Sequence, residues 1–399
     1  MHLKEIEKAK ENIKDVINKT PILYSPIFSK ISNCSVYMKC ENLQITGAYK
    51  IRGALNKIRS LNEDEKNKGV VCSSAGNHAQ GVAYAAKLLG VNSTIVMPET
   101  TPYLKVQSTR DLGGKVVLHG SCYDDAFIKA KSIEENNNSV FIHPFNDMKV
   151  IYGQGTIALE ILEEIKDVDI ILCPIGGGGL ISGISLAAKE INPSIKVIGV
   201  QAEGANAMEL SFKSGSLISL NSVNTIADGI AVKSPGDLTY NIIKEYVDDI
   251  ITVSDQDIAE AFLILCERHK LLAEASGAAS LAALKKLNIE NKKVVSIISG
   301  GNIDMLTISS LINDGLVERG RLFCFSVELP DTPGQLVEIS RILSELNANV
   351  VQLEHNHFKA LNRIKNVLVE VTVETNGFEH INLIKEYFTN MGFKINQMY

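Results

Sequence analysis

The sequence predicts an α/β fold in which parallel sheets are followed by a smaller βαββαβ domain. Between about residue 35 and residue 310, β-rich runs alternate with helical patterns at the roughly 30-residue spacing of βα units. After residue 321, strands and helices follow one another in the ferredoxin-like order βαββαβ. The expected organisation is therefore one large domain over 1–320 and a second domain over 321–399.

Six apolar runs are the predicted strands of the first domain. A sheet covered on both faces needs nearly continuous apolar strands, and the run 169–175 has this character. Each run is followed by a turn or a helical pattern. The predicted strands are 69–72, 93–97, 115–118, 169–172, 196–200 and 294–298.

The second domain begins after the charged, glycine-containing segment 309–321. Alternating apolar residues predict its strands, and amphipathic periodicity predicts its helices. Strands are predicted over 322–329, 349–358, 365–375 and 393–397, helices over 335–347 and 379–391, and a turn over 330–334.

Composition narrows the class of partner. The 399 residues are 45% apolar and 22% charged, with a net charge of −6 and no basic blocks. Nucleic acid and anionic membrane are therefore not expected as partners, and a small molecule is. The seven cysteines include no Cys-x-x-Cys pair, which is typical of a reducing cytosol and argues against a zinc cluster. Buried packing is the expected role of these cysteines.

Two segments bear on localisation. The N-terminal stretch is amphipathic, unlike the apolar core of a secretion signal. The uncharged run 170–188 is long enough for a membrane helix, but Pro174 and four glycines would break one, so strand, loop and helix are expected. A cytoplasmic protein is predicted. The apolar N-terminal face comprises Ile6, Ala9, Ile13, Val16 and Ile17.

Lys50 is the first candidate for chemistry. It follows Tyr49 and lies between two glycines, Gly47 and Gly53. A lysine amine can carry a Schiff base when burial or a cationic neighbour lowers its pKa, and the apolar flanks and Arg52 are expected to supply both. A solvated surface lysine would give the same local pattern, so other segments must decide.

Four consecutive glycines, Gly176, Gly177, Gly178 and Gly179, followed by Leu180, give the strongest chemical signal. They lie between a predicted buried strand and a helical run. Glycines let backbone N–H groups point at an anion, and a helix N-terminus adds a favourable dipole. No Gly-x-Gly-x-x-Gly or Gly-Lys-Ser/Thr pattern is present, so a phosphate ester smaller than a dinucleotide or nucleoside triphosphate is favoured. A tight loop that needs only flexibility is the alternative.

Two further segments end predicted strands, where an open α/β sheet binds its ligands. The segment 73–81 offers small residues and helix N-terminal amides to a carboxylate, and Asn77 can donate to a phenolate or carbonyl oxygen. A simple capped helix start would also explain it. Ser299 follows the strand 294–298, and in isolation the segment 299–302 could be only a turn.

These segments and their order resemble the threonine/serine dehydratases of the fold-type II pyridoxal-phosphate enzymes. The likeness covers almost all of residues 5–320, including 151–160 and 225–229, and the remaining part resembles an ACT domain, an amino-acid-sensing module. It implies two open parallel-sheet subdomains, the smaller of which, about 50–145, is inserted in the larger. A homodimer or homotetramer is also implied.

The resemblance implies a role for each segment. Pyridoxal 5′-phosphate is the implied cofactor, with Lys50 as its lysine and as the base that removes the Cα proton. The glycine loop through Leu180 holds the phosphate, and Ser299 faces the pyridine nitrogen. Tyr49 and Asn77 also contact the cofactor. The substrate residues implied are Ser74, Ala75, Gly76, Asn77 and His78.

The implied reaction is the elimination of water from L-threonine, ending in 2-oxobutanoate and ammonia, with L-serine as a further substrate that gives pyruvate. A neutral serine at the pyridine nitrogen leaves the ring a weaker electron sink, which favours elimination. The family usually has Ser-Phe before its lysine, where this chain has Ala48-Tyr49.

Two alternatives stay open. Serine dehydratases and serine racemases are the nearest, but racemases carry a second acid/base serine where this chain has Ala75. Their divalent-cation carboxylates are replaced by Gln201 and Ala207, although the carbonyl of Ala205 could still bind a monovalent cation. The alternative from another class is a non-catalytic amino-acid sensor, against which Lys50 argues.

The C-terminal segment implies regulation. In ACT domains the turn before the first helix offers N–H groups to the carboxylate of an effector, and isoleucine is the implied inhibitor. The effector residues implied are Asp331, Gly334, Gln335, Leu336 and Asn349. His355 and His357 project from one face of a predicted strand, but two ligands without a third do not predict a metal site, so no metal is assigned.

Overall fold

The fold is the predicted α/β arrangement with parallel sheets. The computed structural model describes residues 1–357, 359 and 365–398, so Phe358, the end of one predicted strand, lies outside the described residues. The chain forms two compact units, Met1–Asp304 and Met305–Tyr399. Among the described residues, no helix has the length and apolar character needed to cross a bilayer.

Helices and strands alternate through the first unit. Its helices are α1 His2–Ile13, α2 Pro26–Ser32, α3 Lys50–Arg59, α4 Glu63–Lys68, α5 Asn77–Leu88, α6 Tyr103–Asp111, α7 Tyr123–Asn137, α8 Met148–Glu164, α9 Gly179–Ile191, α10 Ala207–Ser214, α11 Asp237–Tyr246, α12 Asp255–Ile264 and α13 Ala275–Ala282. Its strands are β1 Ile22–Tyr24, β2 Ser35–Cys40, β3 Val70–Ser73, β4 Ser93–Met97, β5 Lys115–Leu118, β6 Val140–Phe141, β7 Ile170–Pro174, β8 Lys196–Ala202, β9 Asp249–Val253 and β10 Lys293–Ile298.

A six-stranded sheet of order β1-β2-β10-β7-β8-β9 forms the larger subdomain. Only β1 is antiparallel to its neighbour; the other pairs are parallel. Helices α1, α8, α9 and α11 contribute to a core that includes Ile6, Ile151, Ile184 and Ile243. Because parallel strands share a direction, the segments that follow β2, β10 and β7 emerge at one edge of the sheet.

A four-stranded parallel sheet of order β5-β4-β3-β6 forms the smaller subdomain. It is inserted in the chain between β2 and β7. Its core includes Ile51, Leu55, Val82 and Ile95 from α3, α5 and β4. Helix α3 therefore packs within the smaller subdomain. Its first residue, Lys50, lies where the chain passes from the larger subdomain into the smaller one.

The six predicted strands are confirmed, with ends that differ by at most two residues. Sequence patterns did not predict β1, β2, β6 or β9. Strands β1 and β6 are short, β9 is only half-buried, and Lys39 interrupts the apolar run of β2. Helix α1 ends at Ile13, before the predicted face reaches Val16. The expected burial of every cysteine is wrong for Cys122, which is exposed, and Cys266 is only half-buried.

The second unit contains α14 Met305–Glu318, β11 Leu322–Pro330, α15 Gln335–Glu345, β12 Asn349–Asn356, β13 Asn366–Glu374, α16 Phe378–Asn390 and β14 Ile395–Gln397. Its antiparallel sheet has the order β12-β13-β11-β14, which is the predicted ferredoxin-like topology. Phe325, Val371, Ile384 and Phe388 lie in its core. The charged segment 309–321, predicted as a boundary, lies largely within α14, which groups with this unit.

Candidate active site

Lys50 is the first residue of α3, and its side chain is half-buried. Its Nζ atom donates a 2.9 Å hydrogen bond to the carbonyl of Pro144 and lies 5.2 Å from the centre of the Tyr49 ring. Burial lowers the pKa of Lys50 to about 8, while the nearby Glu274 carboxylate opposes this shift. A substantial fraction of the amine is therefore neutral, and hence nucleophilic, near pH 8.

Arg52 has a different role from the one predicted. It is fully buried and donates two 2.8 Å hydrogen bonds to the carboxylate of Glu41 and one of 2.6 Å to Glu160. These carboxylates neutralise its charge, so burial rather than Arg52 lowers the pKa of Lys50. The prediction that Arg52 lowers the pKa of Lys50 is therefore wrong.

The ion pairs of Arg52 belong to a buried network that anchors the start of α3. Lys39 is fully buried and donates to Glu160 at 2.5 Å, and Thr20 donates to Glu41 at 2.5 Å. Two cations and two carboxylates balance one another, and such groups are costly to bury unless they are paired. The network therefore anchors α3 at Arg52, two residues after Lys50.

The glycine loop turns tightly from β7 into α9. Gly178 has φ of +96°, a conformation open to glycine, and Thr239 donates a 2.6 Å hydrogen bond to the carbonyl of Gly177. A Cβ atom on Gly177 would lie 2.2 Å from the Phe145 ring, and one on Gly179 would lie 2.8 Å from the Phe145 Cα. The loop therefore requires glycine for close packing as well as for its turn.

The N-terminus of α9 makes this loop suitable for an anion. The first N–H groups of a helix have no acceptor within the helix, and the helix dipole favours negative charge there. Gly179 and Leu180 are the first two residues of α9, and both are buried. A phosphate group fits this donor set without a cationic side chain.

The segment Pro144–Phe145 joins Lys50 to the glycine loop. Pro144 accepts the hydrogen bond of Lys50, and Phe145 contacts the loop. His143 holds the turn, because its Nδ1 atom accepts from the backbone N–H of Asn146 at 2.8 Å. Burial lowers the pKa of His143 to about 4, which leaves this nitrogen an acceptor. Sequence patterns did not single out this segment, since it contains no strand or helix signal.

Asn77 begins α5 and contacts an acid that the sequence did not single out. Its Nδ2 atom donates a 2.7 Å hydrogen bond to Glu274, and its Oδ1 atom accepts one of 2.8 Å from Asn302. The backbone N–H of Glu274 donates to the carbonyl of Gly300 at 3.0 Å. Burial raises the pKa of Glu274 to about 7. One signal was available: Glu274 is the only charge in the run 271–284.

Ser299 is buried at the end of β10 and lies next to the lysine segment. Its carbonyl accepts a 3.1 Å hydrogen bond from the backbone N–H of Tyr49, and Ala48 bridges to Gly300. The hydroxyl of Ser299 has a 3.5 Å contact with the carbonyl of Ser276. The backbone thus places Ser299 beside Lys50, as expected for two segments that follow adjacent strands.

Residues Ser74, Ala75 and Gly76 connect β3 to α5 and are half-buried. His78, the second residue of α5, is buried, and its Nε2 atom lies 2.8 Å from the carbonyl of Ile142. Burial lowers the pKa of His78 to about 3, so the ring is neutral. Among the described residues its Nδ1 atom has no hydrogen-bond partner. The segment thus offers small groups and helix amides, with no acid or base at position 75.

Gln201 stands where the serine racemase alternative would require a metal-binding carboxylate. Its Nε2 atom donates to the carbonyl of Ile175 at 3.3 Å, and its Oε1 atom accepts from the N–H of Glu209 at 2.8 Å. The side chain therefore bridges the start of the glycine loop to α10.

The five residues of the predicted effector site lie in the second unit. The backbone N–H of Asp331 donates to the carbonyl of Lys365 at 2.9 Å, and Gly334, with φ of +99°, precedes α15. Gln335 and Leu336 are the first residues of α15. Asn349 begins β12, and its side chain has a 3.5 Å contact with Glu374.

Comparison with known proteins gives consistent matches. A family described as "Pyridoxal-phosphate dependent enzyme" matches residues 13–300. An L-threonine ammonia-lyase of Thermotoga maritima is 45% identical over 394 residues, which cover 98% of this chain and 98% of the relative.

Two solved structures are similar to this chain. The processed form of threonine deaminase isoform 2 from Solanum lycopersicum has a TM-score of 0.75 and 37% identity, covering 78% of this chain and 86% of that one. Maize serine racemase also has a TM-score of 0.75, with 39% identity, covering 79% of this chain and 98% of that one.

Proposed function

Because the chain belongs to the pyridoxal-phosphate dependent enzymes, we propose that it is an L-threonine ammonia-lyase that converts L-threonine to 2-oxobutanoate and ammonia. The observation that carries the proposal is the link between Lys50 and the glycine loop. Pro144 accepts from the amine, and its neighbour Phe145 packs on Gly177. A nucleophilic amine and a phosphate cradle thus lie on either side of one two-residue segment.

The residues present fit the cofactor of this family. The α9 N-terminus and the loop Gly176–Gly179 would hold its phosphate, and Lys50 would carry its carbonyl carbon. Asn77 would contact its ring hydroxyl, and Ser299 its pyridine nitrogen. When bound, pyridoxal phosphate supplies an electron sink for the electrons left by a departing Cα proton.

Lys50 performs the proposed proton transfer at the substrate Cα atom. A base works best when its pKa lies near the working pH, and the value of about 8 meets this condition. The α5 N-terminus and the small residues Ser74 to Gly76 would receive the substrate carboxylate through backbone N–H groups. Glu274, bonded to Asn77, would keep the amide donor of Asn77 oriented.

Serine racemase is the second candidate, and the likeness to the maize enzyme favours it. Racemisation needs a proton donor on the face opposite to Lys50, and Ala75 has no proton to give. We therefore propose elimination as the outcome, with L-serine as a second substrate. Chiral analysis of recovered serine tests this choice, because accumulation of D-serine would favour the racemase.

We propose that residues 1–320 form the catalytic domain and residues 321–399 an ACT regulatory domain that binds an amino-acid effector. The ferredoxin-like topology of the second unit supports this, as does the turn after β11, where Gly334 leads into the N-terminus of α15. Isoleucine is the proposed inhibitor, with its carboxylate at the N–H groups of Gln335 and Leu336.

The regulatory proposal can be tested in the full chain. Isoleucine inhibition of threonine turnover should weaken in Asp331→Ala. The matched control is Glu338→Ala, which removes a partly exposed carboxylate of the second unit that pairs with Arg341. Equal inhibition of wild type and Asp331→Ala would contradict the proposed site.

We further propose a cytoplasmic homodimer or homotetramer. In the second unit β12 is an edge strand with exposed Val350 and Val351, the latter 59% exposed, and unpaired edges of this kind favour association. Sedimentation velocity tests this, since a monomer at micromolar concentration would contradict it.

The test of the activity is steady-state release of 2-oxo acid from L-threonine, L-serine and D-serine. L-Threonine should be turned over and D-serine should not, because a single base on one face of the bound substrate can remove the Cα proton of only one enantiomer. A colourless protein that releases no 2-oxo acid from L-threonine would favour the amino-acid sensor instead.

A further inference from the structure

Three side chains with metal-binding atoms meet at one end of the sheet in the second unit. Asp331 follows β11, whereas His355 lies in β12 and His357 just beyond it. One ligand atom from each of the three lies within 4.8 Å of the others. His357 Nδ1 is 3.3 Å from Asp331 Oδ2, and the two imidazole rings are 4.9 Å apart.

The strand order explains why these residues meet. Pro330 pairs with Asn366 at the start of β13, and Asn356 at the end of β12 pairs with Leu368. The ends of β11 and β12 are therefore both beside the start of β13. The hydrogen bond from Asp331 to the carbonyl of Lys365 holds the turn in place. The two histidines are two residues apart in the sequence, so their side chains project to the same side of the sheet.

We propose that Asp331, His355 and His357 bind a divalent transition-metal ion, zinc being the best suited. Imidazole nitrogen and carboxylate oxygen are both ordinary zinc ligands, and three protein ligands leave a position for water or another small ligand. Ligand atoms around zinc lie closer together than the widest separation seen here. All three side chains are exposed, so small rotamer changes can close that gap.

Sequence patterns did not reveal the third ligand. His355 and His357 form a two-residue pattern that is common on strand surfaces, and the carboxylate comes from a turn 24 residues earlier in the chain. Asp331 is also in the proposed effector turn. If that proposal holds, the ion and the effector share one residue, so Asp331→Asn should weaken both, whereas loss of the histidines should primarily weaken metal binding.

The site can be tested by equilibrium dialysis of the full-length, cofactor-loaded protein against zinc in chelator-free buffer near pH 7.5. Wild type should hold one zinc ion per chain that is absent from the double variant His355→Ala/His357→Ala. Loss of groups that merely support metal ligands costs about 10- to 100-fold in affinity. Each single variant, and Asp331→Asn, should therefore raise the dissociation constant at least about tenfold.

The matched control is His119→Ala, which removes an exposed histidine from the first unit and should retain wild-type zinc affinity. Circular dichroism shows whether each variant is folded, and the single variants on the exposed edge strand keep the test decisive if the double variant is not. Equal zinc binding by wild type and the folded histidine variants would overturn the proposal. So would a wild type that binds no zinc, because the three residues would then form only the His357–Asp331 ion pair.

Discussion

The side-chain amide of Asn77 donates a 2.7 Å hydrogen bond to the carboxyl group of Glu274, whose pKa burial raises to about 7. This contact joins the start of α5 in the smaller subdomain to the start of α13 in the larger one. The carboxyl can accept from Asn77 in either protonation state. Its ionisation therefore changes the electrostatics beside Lys50 without requiring that the contact break.

Glu274→Gln should remove a pH-dependent loss of stability. The pKa of Glu274 is raised in the folded protein, so the native state binds more protons than the unfolded chain between about pH 4.5 and 7. Wild-type stability contributed by this group is therefore lost as pH rises through that window. Urea unfolding should show Glu274→Gln gaining stability relative to wild type from pH 4.5 to 7, with no further gain above.

The control for this measurement is Glu63→Gln, which changes an exposed carboxylate paired with Lys66 on α4. It should not reproduce the rise. A stability difference between Glu274→Gln and wild type that stays constant with pH would show that burial does not shift the Glu274 pKa.

Gly177→Ala should weaken cofactor binding. The added Cβ atom would lie 2.2 Å from the Phe145 ring, so the loop or the ring must move. Overpacking typically costs about 1–3 kcal/mol, which corresponds to a loss of affinity between about five- and 150-fold if the loop bears the strain. Fluorescence titration of the apoprotein with pyridoxal phosphate measures it.

Gly215→Ala is the matched control for the loop. Gly215 ends α10 with φ of +74°, and no atom would lie within 4 Å of an added Cβ, so the variant carries backbone strain away from the loop. It should lower stability and leave cofactor affinity unchanged. If Gly177→Ala bound the cofactor as tightly as wild type, the loop would not be the phosphate site.

Arg52→Met should destabilise the fold strongly. Among the described residues, it would leave the buried carboxylates of Glu41 and Glu160 with Lys39 as their one remaining counter-charge. Breaking a buried ion pair by removing one partner costs about 3–5 kcal/mol. Arg59→Met removes a more exposed pair with Asp15 and should destabilise the fold much less. Chemical denaturation of both variants measures the contrast, and equal losses would contradict it.

Ala75→Ser should introduce some racemase activity. The new hydroxyl would lie between β3 and α5, on the segment proposed to receive the substrate, and could donate a proton opposite Lys50. D-Serine should accumulate from L-serine with the variant and stay at background with wild type. Comparable D-serine formation by wild type would mean that Ala75 does not decide between elimination and racemisation.

The sequence predicted those parts of the fold that have strong local signals. A few consecutive residues are enough to predict β4, β7 and β10 from their apolar runs and the loop before α9 from its glycines. Short or half-buried strands such as β1 and β6 do not, because their stability comes from neighbouring strands.

In the candidate site, too, residues with local sequence signals were predicted and roles that depend on distant contacts were not. Lys50, the glycine loop, Asn77 and Ser299 were predicted from local patterns and the resemblance. The role of Glu274 depends on a contact with Asn77, 197 residues away in the sequence, and that of Phe145 on a close contact with the glycine loop that follows β7. The mistaken role of Arg52 has the same cause, since its partners Glu41 and Glu160 are brought to it only by folding.

Borohydride reduction of the holoprotein, followed by peptide mass spectrometry, tests whether Lys50 carries the cofactor. The peptide that contains Lys50 should carry a pyridoxyl group, and the partly exposed Lys66 of α4 should not. In Lys50→Ala the label and the turnover of L-threonine should both be lost, whereas Lys66→Ala should retain both. A pyridoxyl group on another lysine, or an unlabelled protein that still turns over L-threonine, would show that Lys50 does not carry the cofactor.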